Sequence, residues 1–225
     1  MEGGYYNHES LAIEIQSAIG QRKRLLELGI GTGKLAQELL KLDPTYELTG
    51  IDFSSAMVEI AKNRLPDRVS VIECDVATMH LDRRFDAAVS SGGTWVLSRL
   101  DDEMFLGTHL FDTEKDIRGL KNVAEHLDPG GLLVLSLHSF HEDRDVNLAD
   151  GIVYSQKIGS RNGSPDRFSI EKNYCFRRDG NILAEETLTL GFYGSSVFLK
   201  MLADVGFKPL GPNKTETFFV FEKKN

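Results

Sequence analysis

Three glycines at alternate positions follow a short apolar run, and this stretch constrains the fold more than any other. The sequence Leu25-Leu26-Glu27-Leu28-Gly29-Ile30-Gly31-Thr32-Gly33-Lys34 reads as a buried strand that ends in a tight turn. Glycine lacks a Cβ, so its backbone adopts positive φ easily and can approach a ligand closely. Leucines at helical spacing come next, so the turn would present free N–H groups at a helix N-terminus. The stretch therefore predicts a strand–turn–helix unit that binds a ligand against bare backbone.

A carboxylate ends the next apolar run. Asp52 follows Leu48-Thr49-Gly50-Ile51, about twenty residues after the turn, where an acid can accept hydrogen bonds from both hydroxyls of a ribose. The dinucleotide pattern G-x-G-x-x-G would require a glycine at position 34, where this chain has Lys34. The two features together favour a nucleotide cofactor and disfavour a dinucleotide.

The pattern Glu27-x-Gly29-x-Gly31-x-Gly33 resembles motif I of the class I S-adenosylmethionine-dependent methyltransferases. The resemblance implies S-adenosyl-L-methionine as the cofactor, with the acid near its amino-acid end, the glycines along its sugar and methionine portion, and the acid after strand two on its ribose. An acid after strand three would accept the adenine amino group. The cofactor-binding residues predicted in this way are Glu27, Gly29, Ile30, Gly31, Gly33, Asp52, Phe53, Met57, Cys74, Asp75, Val76 and Ser90. Core packing remains an alternative for Met57, and helix capping remains one for Asp75.

The rest of the chain predicts a doubly wound α/β fold. Apolar runs at 69–73, 85–90 and 132–137 are predicted as strands three, four and five, and a helix that ends in a Pro-Gly-Gly turn precedes the last of them. The resemblance to the methyltransferases covers residues 24–137 and, more loosely, the C-terminal helix and hairpin. It implies a Rossmann-like seven-stranded sheet in the order 3-2-1-4-5-7-6, with helices on both faces.

From residue 152 the apolar pattern changes to period two. The alternation around Phe168, Ile170, Tyr174 and Phe176, followed by the turn pair Asp179-Gly180, predicts an inserted three-stranded antiparallel sheet over 152–190. Its apolar face requires a cover, which is either a substrate pocket or a second subunit, so a homodimer through this sheet is one expectation. We predict a single domain over 1–225, with an N-terminal helix and lid at 1–20.

Candidate acceptor-site residues map to the carboxyl edge of the predicted sheet. Trp95 follows a glycine-rich loop after strand four, although it could instead cap the core. His138 and His141 follow strand five, where the first is a candidate proton-handling residue and a structural role is the alternative. The N-terminal pair Tyr5 and Tyr6 is similar to aromatic lid segments of small-molecule methyltransferases, with a surface flap as the alternative. Tyr6 and His138 are thus the catalytic candidates, and Tyr5, Trp95 and His141 are the substrate candidates.

Composition limits the partners. The formal net charge is −8 and there is no basic run, so nucleic acid is disfavoured as a partner. No segment has the length of an apolar membrane span or the pattern of a signal peptide, so we expect a soluble, cytoplasmic protein with no membrane partner. The two cysteines fit neither a disulfide framework nor a zinc pattern, and no metal is expected.

The expected function is methyl transfer to a nitrogen or oxygen of a small organic molecule, such as an amine, an amino sugar or another secondary metabolite. Methyltransferases that modify base amino groups carry an [Asn/Asp]-Pro-Pro-aromatic stretch after strand four, and this chain has Ser90-Ser91-Gly92-Gly93 there. A protein or RNA methyltransferase and a catalytically silent cofactor-binding member remain alternatives. A nicotinamide oxidoreductase is a third, but the spacing of the glycine loop disfavours it.

Overall fold

The computed structural model describes residues 7–224, in which helices pack on both faces of one mixed sheet. The helices are α1 (His8–Ile19), α2 (Lys34–Leu42), α3 (Ser55–Arg64), α4 (Thr113–His126) and α5 (Ser195–Asp204). The strands are β1 (Arg24–Leu28), β2 (Glu47–Asp52), β3 (Ser70–Glu73), β4 (Phe85–Ser90), β5 (Trp95–Leu100), β6 (Glu103–Thr108), β7 (Leu127–Ser139), β8 (Arg144–Asn147), β9 (Ile152–Ser164), β10 (Arg167–Arg178), β11 (Asn181–Gly194), β12 (Phe207–Pro212) and β13 (Phe218–Lys223).

The central strands lie in the order β3-β2-β1-β4-β7-β13-β12. The first five are parallel, whereas β13 runs antiparallel to β7, and β12 runs antiparallel to β13. Since β7 is the fifth strand of the predicted series and β12 and β13 are the last two, this is the predicted order 3-2-1-4-5-7-6. The α/β fold class is confirmed.

Two apolar clusters cover the two faces of the sheet. Successive side chains of a strand point to opposite faces, so Leu25 joins the cluster beneath α1, α2 and α3, whereas Leu26 joins the one beneath α4 and α5. The inner strands β1, β2, β4 and β7 are therefore buried over most of their length, as expected for strands that are covered on both sides, whereas only Val71 is buried in the edge strand β3.

Two helices depart from their predicted apolar faces at single positions. In α3 the buried residues are Val58 and Ala61, while the predicted Met57 is 39% exposed. In α4 the helical spacing of Ile117, Leu120, Val123 and Ala124 predicts one apolar face. Ile117 is nevertheless 41% exposed, and the adjacent Asp116 is fully buried. Ala61 of α3 and Leu120, Val123 and Ala124 of α4 are buried as the spacing predicts, and the two exceptions have consequences for the site below.

A hairpin that the sequence did not reveal follows β4. The strands β5 and β6 pair antiparallel around a turn at Asp101, which has a φ of 52°. β5 also runs parallel to the end of β7, with Leu97 opposite Leu137, so it extends the line of β4 after a short loop. The acidic stretch from residue 101 onwards therefore contains the second strand of the hairpin and the start of α4.

The insertion contains four strands, not the predicted three, and it is continuous with the central sheet. β8, β9, β10 and β11 are paired in sequence, and the end of β11 pairs with β6. The predicted turn Asp179-Gly180 joins β10 to β11, with φ values of 50° and 79°. Part of the apolar face is covered by the chain itself, because Phe105 and Phe140 pack against Phe168 and Phe192.

Candidate active site

The glycine turn has the backbone geometry that its sequence predicts. Gly29, Gly31 and Gly33 all have positive φ, at 74°, 54° and 75°. A Cβ on Gly29 would lie 2.7 Å from the Cα of Gly93, because the loop after β4 packs directly on the turn. A Cβ on Gly31 would meet no protein atom within 4 Å, so the side of the turn at Gly31 is open to a ligand. The last of the three glycines is the N-cap residue of α2.

Asp52 connects the end of β2 to this turn. One carboxylate oxygen accepts a hydrogen bond from the Gly31 N–H at 2.8 Å, and the other accepts one from the Ser54 N–H at 2.9 Å. The side chain is only 8% exposed. Each carboxylate oxygen can accept more than one hydrogen bond, so the ribose hydroxyls predicted for this site remain compatible with these contacts.

Glu27 is a buried acid behind the turn. It is 5% exposed, and its Oε2 atom has no hydrogen-bond partner in the described part of the chain. Burial, and then the nearby charge of Asp52, raise the pKa of Glu27 to about 8. A buried carboxylate without a partner is unfavourable, so a ligand with a cationic or hydrogen-bond donor group would stabilise this site.

Glu27 and the glycine turn line a cleft of about 170 Å³ at the carboxyl edge of β1, and Asp52 is tied to this lining through Gly31. It is lined by His8, Leu11, Glu27, Gly29, Ile30, Gly31, Thr32, Lys34, Leu35, Ser91 and Gly92. The first turn of α1, the glycine turn and the loop after β4 thus form its walls. Open α/β sheets bind ligands at this edge, where neighbouring connections run to opposite faces.

The predicted adenine side lies beyond Asp52. Phe53 is 76% exposed and Met57 is 39% exposed, so both offer apolar surface to a ligand, and the core-packing alternative for Met57 is wrong. Asp75 caps a short 3₁₀ helix by accepting a hydrogen bond from the Ala77 N–H at 2.8 Å, and this capping occupies one of its two oxygens. Cys74 is half-buried beside it.

Three predicted cofactor contacts have side chains that point into the protein. Val76 is 3% exposed and belongs to the core beneath α4. The Ser90 hydroxyl donates to the Trp95 carbonyl oxygen at 2.8 Å, so it holds the loop after β4. The Ile30 side chain fills the space above Gly50. Ile30 nevertheless lines the cleft, whereas the buried side chains of Val76 and Ser90 do not, so the prediction is corrected for these two residues.

Trp95 is part of the core, and its prediction as a substrate residue is wrong. It is fully buried, and its Nε1–H donates to Asp116 at 2.7 Å. The same carboxylate accepts hydrogen bonds from the hydroxyls of Thr108 at 2.6 Å and Tyr193 at 2.9 Å. This network ties β5, β6, β11 and α4 together beneath the site.

The two predicted histidines lie in a basic cluster with a lysine. Lys172 of β10 is 4% exposed, and its Nζ lies 3.1 Å from His141 Nδ1. Burial, and then the charge of Lys172, lower the pKa of His138. The same causes, followed by the charges of His138 and His109, lower the pKa of His141 to about 3. Both rings are therefore neutral near neutral pH.

His109 and Lys172 were missed by the sequence reasoning. His109 begins the segment after β6, and its N–H donates to the Thr94 carbonyl oxygen at 3.3 Å. His109 is exposed to solvent. Desolvation by nearby protein atoms, and then the charge of Lys172, lower the pKa of this histidine. A signal for Lys172 was present, because position 172 falls in the apolar phase of the alternation at 168, 170, 174 and 176.

The remaining predictions concern the N-terminal tyrosines, metal binding and membrane spans. Tyr5 and Tyr6 lie outside the described residues. In residues 7–224 no group of three or more His, Cys, Asp or Glu side chains could hold a metal ion, and no helix in that range is long and apolar enough to span a membrane. A second cleft of about 210 Å³ lies on β9, β10 and β11 and shares no residue with the glycine turn.

The sheet order and the glycine turn define the class of protein, which is an α/β protein that binds a nucleoside at the carboxyl edge of its parallel strands. The residues at this edge suit S-adenosylmethionine. An ammonium group would satisfy the orphaned oxygen of Glu27, a ribose would meet Asp52, and an adenine ring would meet the apolar surface of Phe53 and Met57.

Comparison with known proteins identifies the family. Residues 25–131 match the model of a methyltransferase domain. The chain is 34% identical over 206 residues to malonyl-[acyl-carrier protein] O-methyltransferase 1 of Ilyobacter polytropus, which covers 87% of this chain and 68% of the relative. The chain therefore belongs to the class I S-adenosylmethionine-dependent methyltransferases, and S-adenosylmethionine is confirmed as the predicted cofactor.

Other relatives differ in length or are similar in fold alone. A malonyl-[acyl-carrier protein] O-methyltransferase of Bacillus cereus is 25% identical over 192 residues, which are 81% of this chain and 64% of the relative. The chain thus spans less than two thirds of that protein. CalS10 is an amino pentose methyltransferase from Micromonospora echinaspora. Its structure matches this chain with a TM-score of 0.67 and 19% sequence identity, and the match covers 99% of this chain and 93% of the CalS10 chain.

Proposed function

We propose that this protein transfers a methyl group from S-adenosylmethionine to a nitrogen or oxygen atom of a small organic molecule. The observation that carries the proposal is the buried, unpartnered carboxyl of Glu27 behind three glycines with positive φ. When bound, the cofactor supplies an electrophilic methyl group. Glu27 would hold its ammonium group, and Asp52 would hold its ribose. Asp75, through its second oxygen, and the surface of Phe53 and Met57 would hold the adenine.

The acceptor would bind beside His138 at the end of β7 and His141 just after it. Methyl transfer requires alignment more than acid or base, and positioning alone lowers the barrier by several kcal/mol. A hydroxyl or an ammonium acceptor must also lose a proton. Because the lowered pKa keeps His138 neutral, its imidazole can accept that proton. A nitrogen acceptor is supported by the amino pentose methyltransferase among the structural neighbours, and an oxygen acceptor by the O-methyltransferases among the relatives.

Three further expectations are part of this proposal. We propose that the segment with Tyr5 and Tyr6 covers the cleft, which is supported by the position of His8 and Leu11 in the cleft wall. We also propose that 1–225 is one domain, and that the inserted sheet is the surface of a homodimer. Exposed Ile182 on its β10–β11 hairpin supports that last role.

The test is incubation with S-adenosylmethionine labelled in its methyl group and a panel of amines, phenols and carboxylic acids. Label should transfer to a small acceptor, and an intact protein or folded RNA as the best acceptor would contradict the proposal. Asp52→Ala should weaken binding of S-adenosylhomocysteine by about 1.5–3 kcal/mol in calorimetry, because it removes hydrogen bonds to a charged group. The matched control is Asp86→Ala, since Asp86 accepts hydrogen bonds from Lys23 and Arg24 at the opposite end of β1. It should lower stability and leave the binding unchanged.

A further inference from the structure

Lys172 is a buried cation without a counter-charge. In residues 7–224 no carboxylate lies within ion-pair distance of its ammonium group. Its polar contact is the ring of His141, and it also lies 5.2 Å from the centre of the Tyr174 ring. The surrounding wall is aromatic, because Phe192 lies 5.8 Å from the ring of His141. A buried charge is costly unless an opposite charge or several hydrogen bonds compensate it.

The contact between Lys172 and His141 defines what the pair can bind. A lysine ammonium group has donors and no acceptor, so Lys172 donates to His141 Nδ1 and the proton of the neutral ring lies on Nε2. His141 Nε2 is buried and has no hydrogen-bond partner within the described residues. Burial lowers the pKa of Lys172 to about 8, so the ammonium form still dominates at neutral pH. The pair therefore offers several donors and no acceptor.

This donor pair lies next to the cofactor cleft. Ser91 and Gly92 line the cleft, and the same loop continues to Thr94, whose carbonyl oxygen accepts the hydrogen bond from the N–H of His109. Gly92 also donates its N–H to Ser136 Oγ of β7 at 3.2 Å, two residues before His138. The charge of Lys172 contributes to the lowered pKa values of His109 and His138 as well as that of His141, so these rings lie near it. A molecule held by Lys172 would thus be close to the cofactor.

We propose that Lys172 and His141 form a subsite that binds a carboxylate group of the methyl acceptor, an inference that rests on the proposed methyl transfer. One buried cation balances one negative charge, whereas a phosphate ester carries about −1.5 to −2 at neutral pH and would leave charge unbalanced. Methylation of the bound carboxylate would abolish its charge and leave Lys172 uncompensated again. The carboxylate therefore anchors the acceptor, and a different nitrogen or oxygen atom of the same molecule receives the methyl group.

The binding test uses acetate, with its neutral isostere acetamide as the comparison. In the full chain labelled with ¹³C at the lysine ε-carbons, acetate should shift the Lys172 resonance and raise the pKa of this group, with binding at least about tenfold tighter than that of acetamide. Equal effects of the two ligands would overturn the proposal. Tighter binding of methyl phosphate than of acetate would overturn the assignment to a carboxylate.

Lys172→Met tests the residue itself. Methionine has a similar length and no charge, so the variant should fold and should melt at a higher temperature than the wild type, because a buried charge is removed. It should lose the response to acetate. The matched control is Lys157→Met, since Lys157 lies on the neighbouring strand β9 with half of its side chain exposed. A response to acetate that survives Lys172→Met would contradict the subsite.

A third measurement separates this inference from the proposed function. Amino acids and their amides are compared as methyl acceptors, and the wild type should show a KM about tenfold or more lower for the carboxylate form, a preference that Lys172→Met should abolish. If methyl transfer occurs without this preference, the subsite is wrong and the proposed function stands. If acetate binds at Lys172 and no acceptor is methylated, the proposed function is wrong and the subsite stands.

Discussion

At the scale of single residues, the carboxyl group of Glu27 makes the stability of the protein depend on pH. Its pKa is about 8 in the folded protein, against an ordinary value of 4.5. The folded state therefore retains a proton that the unfolded state releases. The stability contributed by this neutral form is fully present below pH 4.5 and is lost as the pH rises through 8.

We predict that Glu27→Gln removes this loss of stability between pH 4.5 and 8, because glutamine remains neutral throughout. Urea unfolding at several pH values measures the effect, and the exposed Glu59 of α3 provides the control variant Glu59→Gln. Binding of S-adenosylhomocysteine should release a proton from Glu27, since its ammonium group favours the carboxylate form. Calorimetry in buffers of different ionisation enthalpy detects that proton. Release that persists in Glu27→Gln would contradict the assignment.

Among the single site residues, the sequence predicts best those whose role depends on the backbone conformation. The glycines were predicted because a turn with positive φ permits few residue types, and Asp52 was predicted because it ends the next apolar run. The sequence failed for Ser90 and Trp95, which lie beside the site in the chain but point into the core. Lys172 was missed because the alternation was read from its apolar members alone. A polar residue in the apolar phase of a strand was the available signal.

At the scale of elements, helical periodicity predicted most of the buried face of α4 but not the residue at its edge. The sequence of α4 suggests an apolar face that includes Ile117, whereas the structure buries Asp116 in its place. The difference arises from tertiary partners, because Trp95, Thr108 and Tyr193 converge on that carboxylate from three strands. No local pattern in α4 contains this information.

We predict that Asp116→Ala destabilises the fold by roughly 2–5 kcal/mol, because it leaves three buried donors without their acceptor. Asp112→Ala on the same helix is the matched control. Asp112 is the exposed N-cap and accepts hydrogen bonds from the Glu114 and Lys115 N–H groups, so its removal should cost less. Urea unfolding followed by Trp95 fluorescence measures both variants. Equal losses would show that the buried network contributes little.

At the scale of the whole molecule, the inserted strands and the central sheet share a boundary strand. β11 belongs to the insertion over most of its length, yet Gly191–Gly194 pairs with β6 of the hairpin that follows β4. The hydroxyl of Tyr193, in the same segment, donates a hydrogen bond to Asp116 of the core network. The sequence pattern predicted the inserted strands as a separate sheet. It could not reveal the pairing of β6 with β11, because this long-range pairing does not change the periodicity of either strand.

This continuity predicts that the insertion and the core unfold together. Trp95 is the single tryptophan and is fully buried in the core, and Cys175 is a free thiol, 7% exposed, on β10 of the insertion. In a Cys74→Ala background, Cys175 is the single thiol of the chain. Urea unfolding followed by Trp95 fluorescence and by reaction of Cys175 with a thiol reagent should give one common free energy of unfolding.

Tyr193→Phe should lower both transitions together, because it removes the hydrogen bond that joins β11 to Asp116. The hydroxyl of Tyr193 is buried, so loss of this bond weakens the junction without a change in the apolar contacts of the ring. Reaction of Cys175 at urea concentrations that leave Trp95 fluorescence unchanged would instead show that the inserted sheet opens by itself. The single domain proposed for 1–225 would then have to be divided at the pairing of β6 with β11.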